Sequence, residues 1–569
     1  MKRKFVSLAT PFEESEKRNF SEYPRKQLVR DSYFPLDGLW ELSVMRRERL
    51  RYVGKIKMPF VPESRLSGIC RTLKKGEKWV YTRRFELPAG FNVGRVLLHF
   101  GAVDQIARVC INSHAFSEHI GGYLPFTFDI TDFLREGINI LYVEVEDRLD
   151  PDIPYGKQRK KRGGMWYTPI SGIWQTVWLE SVPRRYVSKI KVTPSLTGVS
   201  IDVVGGDTHK RVDIDTPNGT LSFEFVGSHF ECKIPSPRLW SPENPYLYYF
   251  TLYCKEDKVR SYFALRTVEI RAVNGKEQLL FNGKPYFFHG LLDQGYFSDG
   301  IYLPASPKGY EWDIKTAKSL GFNMLRKHIK IEPDLFYYYC DKYGMIVFQD
   351  MVNSGKYSFL IDTALPTVGP RRGITHRATK RRREIFERHC EETMEHLYNH
   401  PSVCYYTLFN EGWGQYDADK LYGKFKKLDP TRIIDSTSGW FNENQSDVQS
   451  EHIYFKKADF EIGTRPAVLS EFGGYSCKIE GHIFNLHKAY GYKTMNSRDE
   501  LSESLESLYT NEVIPLIRQG LCGAVLTQLS DVEDEINGLV TYDRRVIKPC
   551  RDTMLRIRDK IDRAVFDRK

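Results

Sequence analysis

The 569-residue sequence predicts a multidomain fold in which two β-sandwiches precede a TIM (β/α)8 barrel. Three observations support this prediction. The chain is too long for one compact core, its first half alternates apolar and polar side chains with a period of two, and its second half alternates short apolar strands with helix-period stretches. We expect a first sandwich over 1–183, an immunoglobulin-like sandwich over 184–269 and the barrel over 270–569.

Short alternating segments with turn residues between them indicate the two sandwiches, because half-buried antiparallel strands have this pattern. In the first sandwich the segments include residues 79–85, 96–100, 140–145 and 174–180. In the second they include residues 221–225, 246–253 and 263–270. The size of the second group is typical of an immunoglobulin-like module.

Eight apolar segments after residue 270 are predicted barrel strands, and helical patterns separate most of them. The strands are expected at residues 285–292, 323–329, 345–351, 402–409, 433–438, 452–455, 466–470 and 523–529. The helices are expected at residues 312–320, 334–343, 381–398, 418–427, 502–517 and 549–561. No good helical pattern follows the sixth strand, which makes that unit the weakest of the eight.

Composition and charge exclude several classes of protein. The net charge of +11 is dispersed, and the clearest basic runs, Lys160 to Arg162 and Lys380 to Arg383, are short solvated surface rather than a nucleic-acid footprint. The ten cysteines form no CxxC pair, so neither a zinc site nor a disulfide framework is expected. The start at Met1 lacks the apolar run of a signal peptide, and no segment is long enough to span a membrane. We therefore expect a cytoplasmic protein without nucleic-acid or membrane partners.

Two glutamates follow predicted barrel strands. Glu411 comes directly after strand four, and Glu471 comes directly after strand seven. Because the carboxyl ends of barrel strands meet at one mouth, two carboxylates there can act as acid and nucleophile on a glycosidic bond, and a separation near 5 Å implies retention of configuration. The alternative is that Arg326 or Lys327 pairs with them as barrel architecture.

An ordered set of motifs in this sequence resembles glycoside hydrolase family 2, which includes β-galactosidases, β-glucuronidases and β-mannosidases. The barrel motifs are Phe281-Asn282-Gly283-Lys284-Pro285, Gly321 to His328, Asn410-Glu411 and Ser470-Glu471-Phe472-Gly473. Gly172 to Leu179 looks like the family's sugar-binding jelly-roll sandwich, and Leu239 to Tyr248 looks like its immunoglobulin-like domain. The resemblance covers almost the whole chain and implies a retaining, exo-acting glycosidase with Glu411 as acid/base and Glu471 as nucleophile.

The same resemblance implies roles for further residues. Asn410 should bind the sugar 2-hydroxyl, and Arg326 should keep Glu471 ionised. His452 and Tyr454 look like sugar-contacting or nucleophile-orienting residues, although a core histidine is the competing interpretation. The remaining candidates for sugar contacts are Trp413 and Trp440 by stacking, and Asp293, Gln294 and Asp350 by hydrogen bonds.

The identity of the sugar is less determined by the sequence. Glucuronide-cleaving members have an Asn-x-Lys motif late in the barrel, whereas this chain has Glu535-Ile536-Asn537 there and Thr527-Gln528 where many members have tryptophan. We therefore expect a neutral sugar, first a β-galactoside, with β-mannoside, β-glucoside, β-glucuronide and furanose or arabinose substrates as alternatives. A non-catalytic carbohydrate-binding protein is the alternative from another class.

Expectations about other ligands follow from single residues. Lys327 alternates with Arg326 and should point into the helix layer, while Lys330 should reach the rim. The acidic stretch from Asp531 to Glu535 lacks a ligand pattern, so no cofactor and no metal are expected, with a divalent cation left as an open alternative. Carbohydrate is the expected ligand, and homo-oligomerisation is left open.

Overall fold

The computed structural model describes residues 5–15, 20, 22–273, 275–369, 371–373 and 375–567. Met1 to Lys4, the basic start considered above, lie outside these ranges. Two antiparallel sandwiches and a barrel of eight parallel strands follow one another along the chain, which confirms the predicted fold class. No helix in the described ranges has an apolar stretch long enough to cross a bilayer.

The first sandwich packs a four-stranded sheet on a larger one around a core that includes Trp40, Trp79 and Leu98. Alternating apolar positions on both sheets form this core. In sheet order the smaller sheet contains Tyr33–Pro35, Val177–Val182, Arg95–Phe100 and Phe126–Asp129. The larger contains Arg49–Met58, Gly38–Arg46, Lys78–Glu86, Ile138–Glu146, Ile106–Ile111 and His114–Ala115, with His119–Ile120 beside Ile106–Ile111. Val103–Asp104 pairs separately with Gly172–Ile173.

The second sandwich is smaller and has its own core around Val192, Ile214 and Phe250. One sheet has three strands, Val187–Pro194, Gly198–Gly205 and His229–Lys233. The other has four, Gly219–Val226, His209–Thr216, Tyr248–Cys254 and Asp257–Phe263. A short antiparallel ribbon of Val268–Val273, Lys276–Phe281 and Lys284–Pro285 then leads into the barrel.

The barrel strands are buried along nearly their whole length, as expected for parallel strands covered by helices. Strands one to eight are Phe288–Asp293, Met324–Lys327, Ile346–Asp350, Val403–Asn410, Ile433–Ser438, Gln449–Ile453, Ala467–Gly473 and Leu521–Thr527. Hydrogen bonds join them in the order five-four-three-two-one-eight-seven-six, and strands five and six approach each other to nearly close the ring.

Six longer helical segments surround this barrel and bury their apolar faces against it. They are Lys308–Ser319, Asp334–Tyr343, Lys380–Leu397, Ala418–Leu428, Arg498–Leu508 continued by Ile514–Gln519, and Arg551–Phe566. Short helical turns occur at Pro11–Ser15, Thr131–Phe133, Leu360–Ala364, Leu365–Val368 and Tyr509–Val513. Strand six is followed by irregular chain, and a small ribbon of Tyr475–Cys477 and Lys493–Met495 follows strand seven.

A segment of the first sandwich reaches the mouth of the barrel. Trp166 and Tyr167 belong to the same apolar cluster as the barrel residues Trp413 and Tyr296. Tyr155 donates its hydroxyl to the carbonyl of Gly355, 2.9 Å away, in the loop after strand three. Residues 155–167, which we call the sandwich arm, therefore form part of the wall around the carboxyl ends of the strands.

Candidate active site

Glu411 and Glu471 face each other at the mouth of the barrel. A carboxylate oxygen of each and a ring nitrogen of His452 all lie within 4.8 Å of one another. Glu411 is the first residue beyond strand four and has a φ of +50°, a strained conformation for a non-glycine residue. The separation is that of retaining glycosidases, in which the two carboxyl groups are roughly 5 Å apart, rather than of inverting enzymes.

Arg326 is the centre of the hydrogen-bond network behind these glutamates. Its guanidinium is buried and donates to Glu471 Oε1 at 3.2 Å, to Asn410 Oδ1 at 2.9 Å and to Asp350 Oδ1 at 2.9 Å. Burial by itself would lower the pKa of Arg326, but the carboxylates of Asp350 and Glu471 raise it above its usual value. The arginine is therefore a permanent cation that fixes Glu471 and Asn410 in place.

Asp350 forms an ion pair with Arg326 and holds the guanidinium in place. Its Oδ1 accepts from Arg326, and its Oδ2 lies 2.8 Å from Nδ1 of His328. Burial opposes ionisation of Asp350, but Arg326 and His328 lower its pKa to about 2. Because both oxygens are engaged and the side chain has no exposed surface, Asp350 holds Arg326 rather than presenting an acceptor for a sugar hydroxyl.

His452 links the two glutamates. Its Nε2 lies 3.2 Å from Nη1 of Arg326, which has only protons to donate, so Nε2 accepts and Nδ1 carries the proton. Nδ1 then donates to Glu411 Oε1 at 3.1 Å. Burial lowers the pKa of His452 to about 3, so the ring is neutral. Gly439 has a φ of +85°, and a Cβ there would lie 2.5 Å from Cγ of His452, so the ring's position requires a glycine.

The environments of the two glutamates differ in the way that acid and nucleophile roles require. Burial raises the pKa of Glu411 above its ordinary value, and the more distant cations Lys157 and Arg326 only partly oppose this effect. Glu471 instead has a donor on each oxygen, with Arg326 on Oε1 and the hydroxyl of Tyr454 on Oε2 at 2.6 Å. Glu411 is thus suited to hold a proton, whereas both oxygens of Glu471 are engaged as hydrogen-bond acceptors.

Tyr454 connects Glu471 to the end of strand eight. Because its proton is donated to Glu471, its oxygen accepts from Thr527 Oγ1 at 2.7 Å. Its ring stacks on Tyr492 with centroids 3.9 Å apart. Packing and hydrogen bonding therefore both fix the hydroxyl that orients Glu471.

The two tryptophans predicted to stack on sugars, Trp413 and Trp440, differ in their surroundings. Trp413 is 3% exposed, packs edge-on against Tyr155 and Trp166, and donates its indole N–H to Gly355, an arrangement that favours packing over sugar stacking. Trp440 is half-buried, with its ring 6.4 Å from that of His452, beside the two glutamates.

Asp293 and Gln294 lie at the end of strand one. Oδ2 of Asp293 is 2.6 Å from Nζ of Lys327. The same ammonium group lies 2.9 Å from Oε1 of Glu332, so the three side chains form a buried cluster of charges. Lys327 lies over the ring of Phe336 in helix Asp334–Tyr343. Asp293 therefore pairs with a side chain that points into the helix layer. Gln294 is buried, and its Oε1 has no hydrogen-bond partner among the described residues, which leaves an acceptor available.

Lys330 does not reach the rim as expected. It is 2% exposed, lies 2.9 Å from Glu332, and donates to the carbonyl of Tyr302. Buried Glu332 lies 2.9 Å from the ammonium groups of both Lys327 and Lys330, so it holds both side chains inside the protein. Neither lysine is free to pair with a substrate.

Sequence reasoning did not identify several residues of the site. Ser438, at the end of strand five, accepts from Arg326 at 2.9 Å, and the serine has no distinctive sequence signal. Tyr492 and Lys157 come from a long loop and from the sandwich arm. Lys157 acts electrostatically on both Glu411 and Glu535, which only the docking of the two domains makes possible.

A chain of polar side chains borders the site beyond strand eight. Gln528 donates to Asn537 at 2.7 Å, and Asn537 donates to Glu535 at 3.0 Å. The hydroxyl of Tyr167, from the sandwich arm, donates to the other oxygen of Glu535 at 2.5 Å. Oε1 of Gln528 has no hydrogen-bond partner among the described residues, and the side chain has no exposed surface.

A metal ion fits this geometry poorly. Among the described residues, Glu411, His452 and Glu471 are the one group of potential ligands that lie close enough together. Metal binding would need a lone pair on Nδ1 of His452, and the proton moved to Nε2 would then face Arg326. In the acidic stretch, Asp531 pairs with Lys548 at 2.6 Å, and Glu533 pairs with Arg162 at 2.8 Å.

Comparison with known proteins identifies the family. Three family profiles match consecutive parts of the chain: the glycosyl hydrolase 2 galactose-binding domain-like family over 46–181, glycosyl hydrolases family 2 over 185–266, and the family 2 TIM barrel domain over 271–480. The chain is 26% identical to β-glucuronidase of Canis lupus familiaris over 72% of its own length and 69% of that protein.

The chain is also similar to a β-galactosidase and to a solved β-glucuronidase structure. The chain is 27% identical to a β-galactosidase of Thermoanaerobacter pseudethanolicus over 48% of its length, but spans only 39% of that protein, and less than half of several other bacterial relatives. The structure of β-D-glucuronidase from Dictyoglomus thermophilum superposes with a TM-score of 0.75 over 95% of this chain and 98% of that one, at 20% identity, and so shares the fold. Together with the three consecutive profiles, these similarities show that the chain belongs to glycoside hydrolase family 2.

Proposed function

We propose that this protein is a retaining glycosidase that removes a β-linked terminal sugar, with Glu471 as nucleophile and Glu411 as general acid and base. The observation that carries the proposal is the pair of carboxyl groups within 4.8 Å, of which Glu411 has a pKa raised by burial and Glu471 accepts a hydrogen bond on each oxygen. A carbohydrate-binding protein without catalysis would gain nothing from two glutamates that are costly to bury side by side.

The reaction proceeds by two displacements. Glu471 attacks the anomeric carbon while Glu411 gives its proton to the departing glycosidic oxygen, which leaves a covalent glycosyl-enzyme. Glu411, now ionised, takes a proton from water, the resulting oxygen attacks the anomeric carbon, and Glu471 departs as a carboxylate. His452 holds Oε1 of Glu411, so the opposite oxygen carries the transferred proton.

Further residues stabilise the transition state and limit the length of the bound sugar. The amide of Asn410, whose Oδ1 is bound by Arg326, is left with its N–H groups for the sugar 2-hydroxyl. The sandwich arm closes one side of the mouth through Tyr155 and Tyr167, which suits release of a terminal residue rather than cleavage within a chain.

A neutral sugar, and first a β-galactoside, is the substrate that the polar wall supports best. Burial, and to a smaller extent the charge of Glu471, raise the pKa of Glu535, and Tyr167 and Asn537 hold its oxygens, so a third carboxyl group lies beside the site. A uronic acid would bring a further carboxylate to the same space, whereas a neutral hexose brings only hydroxyls, which the carboxyl group of Glu535 can bind.

One observation favours a second candidate, a β-uronidase. Lys157 lies close enough to lower the pKa of both Glu411 and Glu535 through its charge. A sugar carboxylate would need such a cation as its partner. Relatives named β-glucuronidase and a solved structure named β-galacturonidase share the family or fold. Lys157 is half-buried and offers a single point charge rather than a donor fork, so we rank this candidate second.

A panel of nitrophenyl glycosides tests both candidates in one experiment. At equal ionic strength we expect kcat/KM for the β-galactoside to exceed that for the β-glucuronide and β-galacturonide, with activity lost in Glu471→Gln. A clear preference for either uronide would establish the second candidate. No turnover of any glycoside by folded protein would refute the glycosidase proposal itself.

A further inference from the structure

A cavity of about 860 Å³ in the first sandwich has no part in the mechanism above. It lies between the loop that precedes strand Lys78–Glu86 and the chain that follows strand Ile138–Glu146. Six basic side chains line it: Lys74, Lys75, Lys78, Arg148, Lys160 and Arg162.

The acidic residues of the lining do not neutralise this charge. Four acids face the cavity, of which Glu77 pairs with Arg71, Glu146 pairs with Lys78, and Asp147 lies close enough to Lys160 for the two charges to attract each other. Burial raises the pKa of Glu63 to about 8, so Glu63 is uncharged at neutral pH. In contrast, Lys74 and Lys75 are exposed and make no ion pair with any described residue, and Lys160 is exposed with only the nearby charge of Asp147 opposite it, so these charges are accessible to a ligand.

The wall of the cavity is bonded to the barrel mouth. Arg162 pairs with Glu533 at 2.8 Å, and the backbone N–H of Thr168 donates to the same carboxylate at 3.1 Å. Glu533 is two residues before Glu535, which Tyr167 binds at the side of the active site. The sandwich arm therefore connects the side of the active site to the wall of the cavity.

We propose that this cavity binds carboxylate or sulfate groups of an anionic glycan whose terminal sugar is held in the barrel. The excess of unpaired lysines in a concave wall recognises repeated negative charges. The residues that line the cavity include no aromatic side chain, so it offers no stacking platform for nucleic-acid bases. The position of the terminal sugar rests on the proposed function, whereas binding in the cavity is measured separately.

The test measures binding of a heparin hexasaccharide to the full chain by calorimetry at 150 mM NaCl (about physiological ionic strength), with maltohexaose as the neutral ligand. The variant Lys74→Gln/Lys75→Gln/Lys160→Gln should bind heparin about tenfold more weakly, as expected when three exposed charge contacts are lost. The control Lys380→Gln/Lys420→Gln/Lys427→Gln removes the same charge from barrel helices and should bind within about twofold of the unmodified protein. Turnover of a nitrophenyl glycoside should be unchanged in both variants.

Three results would overturn the inference. Equal weakening in both variants would show a general effect of net charge, and no heparin binding at all would show that the cavity is unused. Binding of a single-stranded DNA 12-mer with the same strength and the same dependence on the three lysines would indicate an unselective polyanion surface. If the protein binds heparin through these lysines but turns over no glycoside, the proposed function fails while the cavity assignment stands.

Discussion

The two sides of the barrel mouth are built differently. On one side Arg326 joins Glu471, Asn410 and Asp350 in a buried network whose members all come from barrel strands or their first following residues. On the other side Glu535 is held by Tyr167 from another domain, and Lys157 approaches from the same arm. The difference indicates that the barrel alone fixes the reacting groups, whereas the docking of two domains shapes the pocket for the sugar.

The strongest way to test the barrel side is to remove the nucleophile. Glu471→Gln should lower kcat by about 10⁴-fold or more, because no covalent intermediate can form. Steady-state rates on nitrophenyl glycosides measure the loss, and circular dichroism checks folding. Azide should restore turnover to Glu471→Ala and yield a product of inverted configuration. An active Glu471→Gln variant would remove the central assignment.

Replacement of the acid should separate substrates by leaving group. Glu411→Ala should slow alkyl glycosides by about 10³-fold and dinitrophenyl glycosides much less, since only poor leaving groups need the proton. Equal losses on both would argue against an acid role.

The pH profile gives an independent view of Glu411. Because burial raises its pKa, Glu411 keeps its proton above the ordinary range of a glutamate, and kcat/KM should fall only as pH rises through this raised pKa. Glu411→Gln should abolish that alkaline limb. A limb that persists in the variant belongs to another group.

Asp293 ends strand one and Asp350 ends strand three of the barrel. A matched pair of variants distinguishes their roles. Asp350→Asn should lower kcat by about 10²-fold, since Arg326 loses the charge that orients it. Asp293→Asn should leave kcat within a few-fold but lower the free energy of unfolding by about 2–4 kcal/mol, because buried Lys327 loses a partner. Urea unfolding and kinetics on both variants check this, and the reverse pattern would contradict the assignment.

The smallest expected effect lies on the interdomain side. Lys157→Gln should change kcat/KM for a neutral galactoside by less than about threefold, because a partly exposed lysine contributes little to a neutral ligand. A loss of more than about tenfold confined to a glucuronide would show that the sandwich arm binds sugar carboxylates. Competition kinetics with the two substrates in one mixture measures the ratio directly.

The sequence by itself determined the three-part fold and the placement of Glu411 and Glu471 at the carboxyl ends of strands four and seven. Both follow from local pattern, since a period of two, a helix period and a carboxylate after an apolar run are visible without knowledge of distant contacts. The alternation of Arg326 and Lys327 on strand two likewise assigned one side chain to the barrel interior and the other to the helix layer.

Tertiary structure decided the partners of these residues. The exposure of Trp413 depends on Tyr155 and Trp166, more than 240 positions earlier in the chain, and the inward turn of Lys330 depends on buried Glu332. Likewise, Tyr167 reaches Glu535 across 368 positions. Such contacts join residues whose separation carries no local signal, because burial and charge pairing are set by how whole domains pack rather than by the pattern of any one segment.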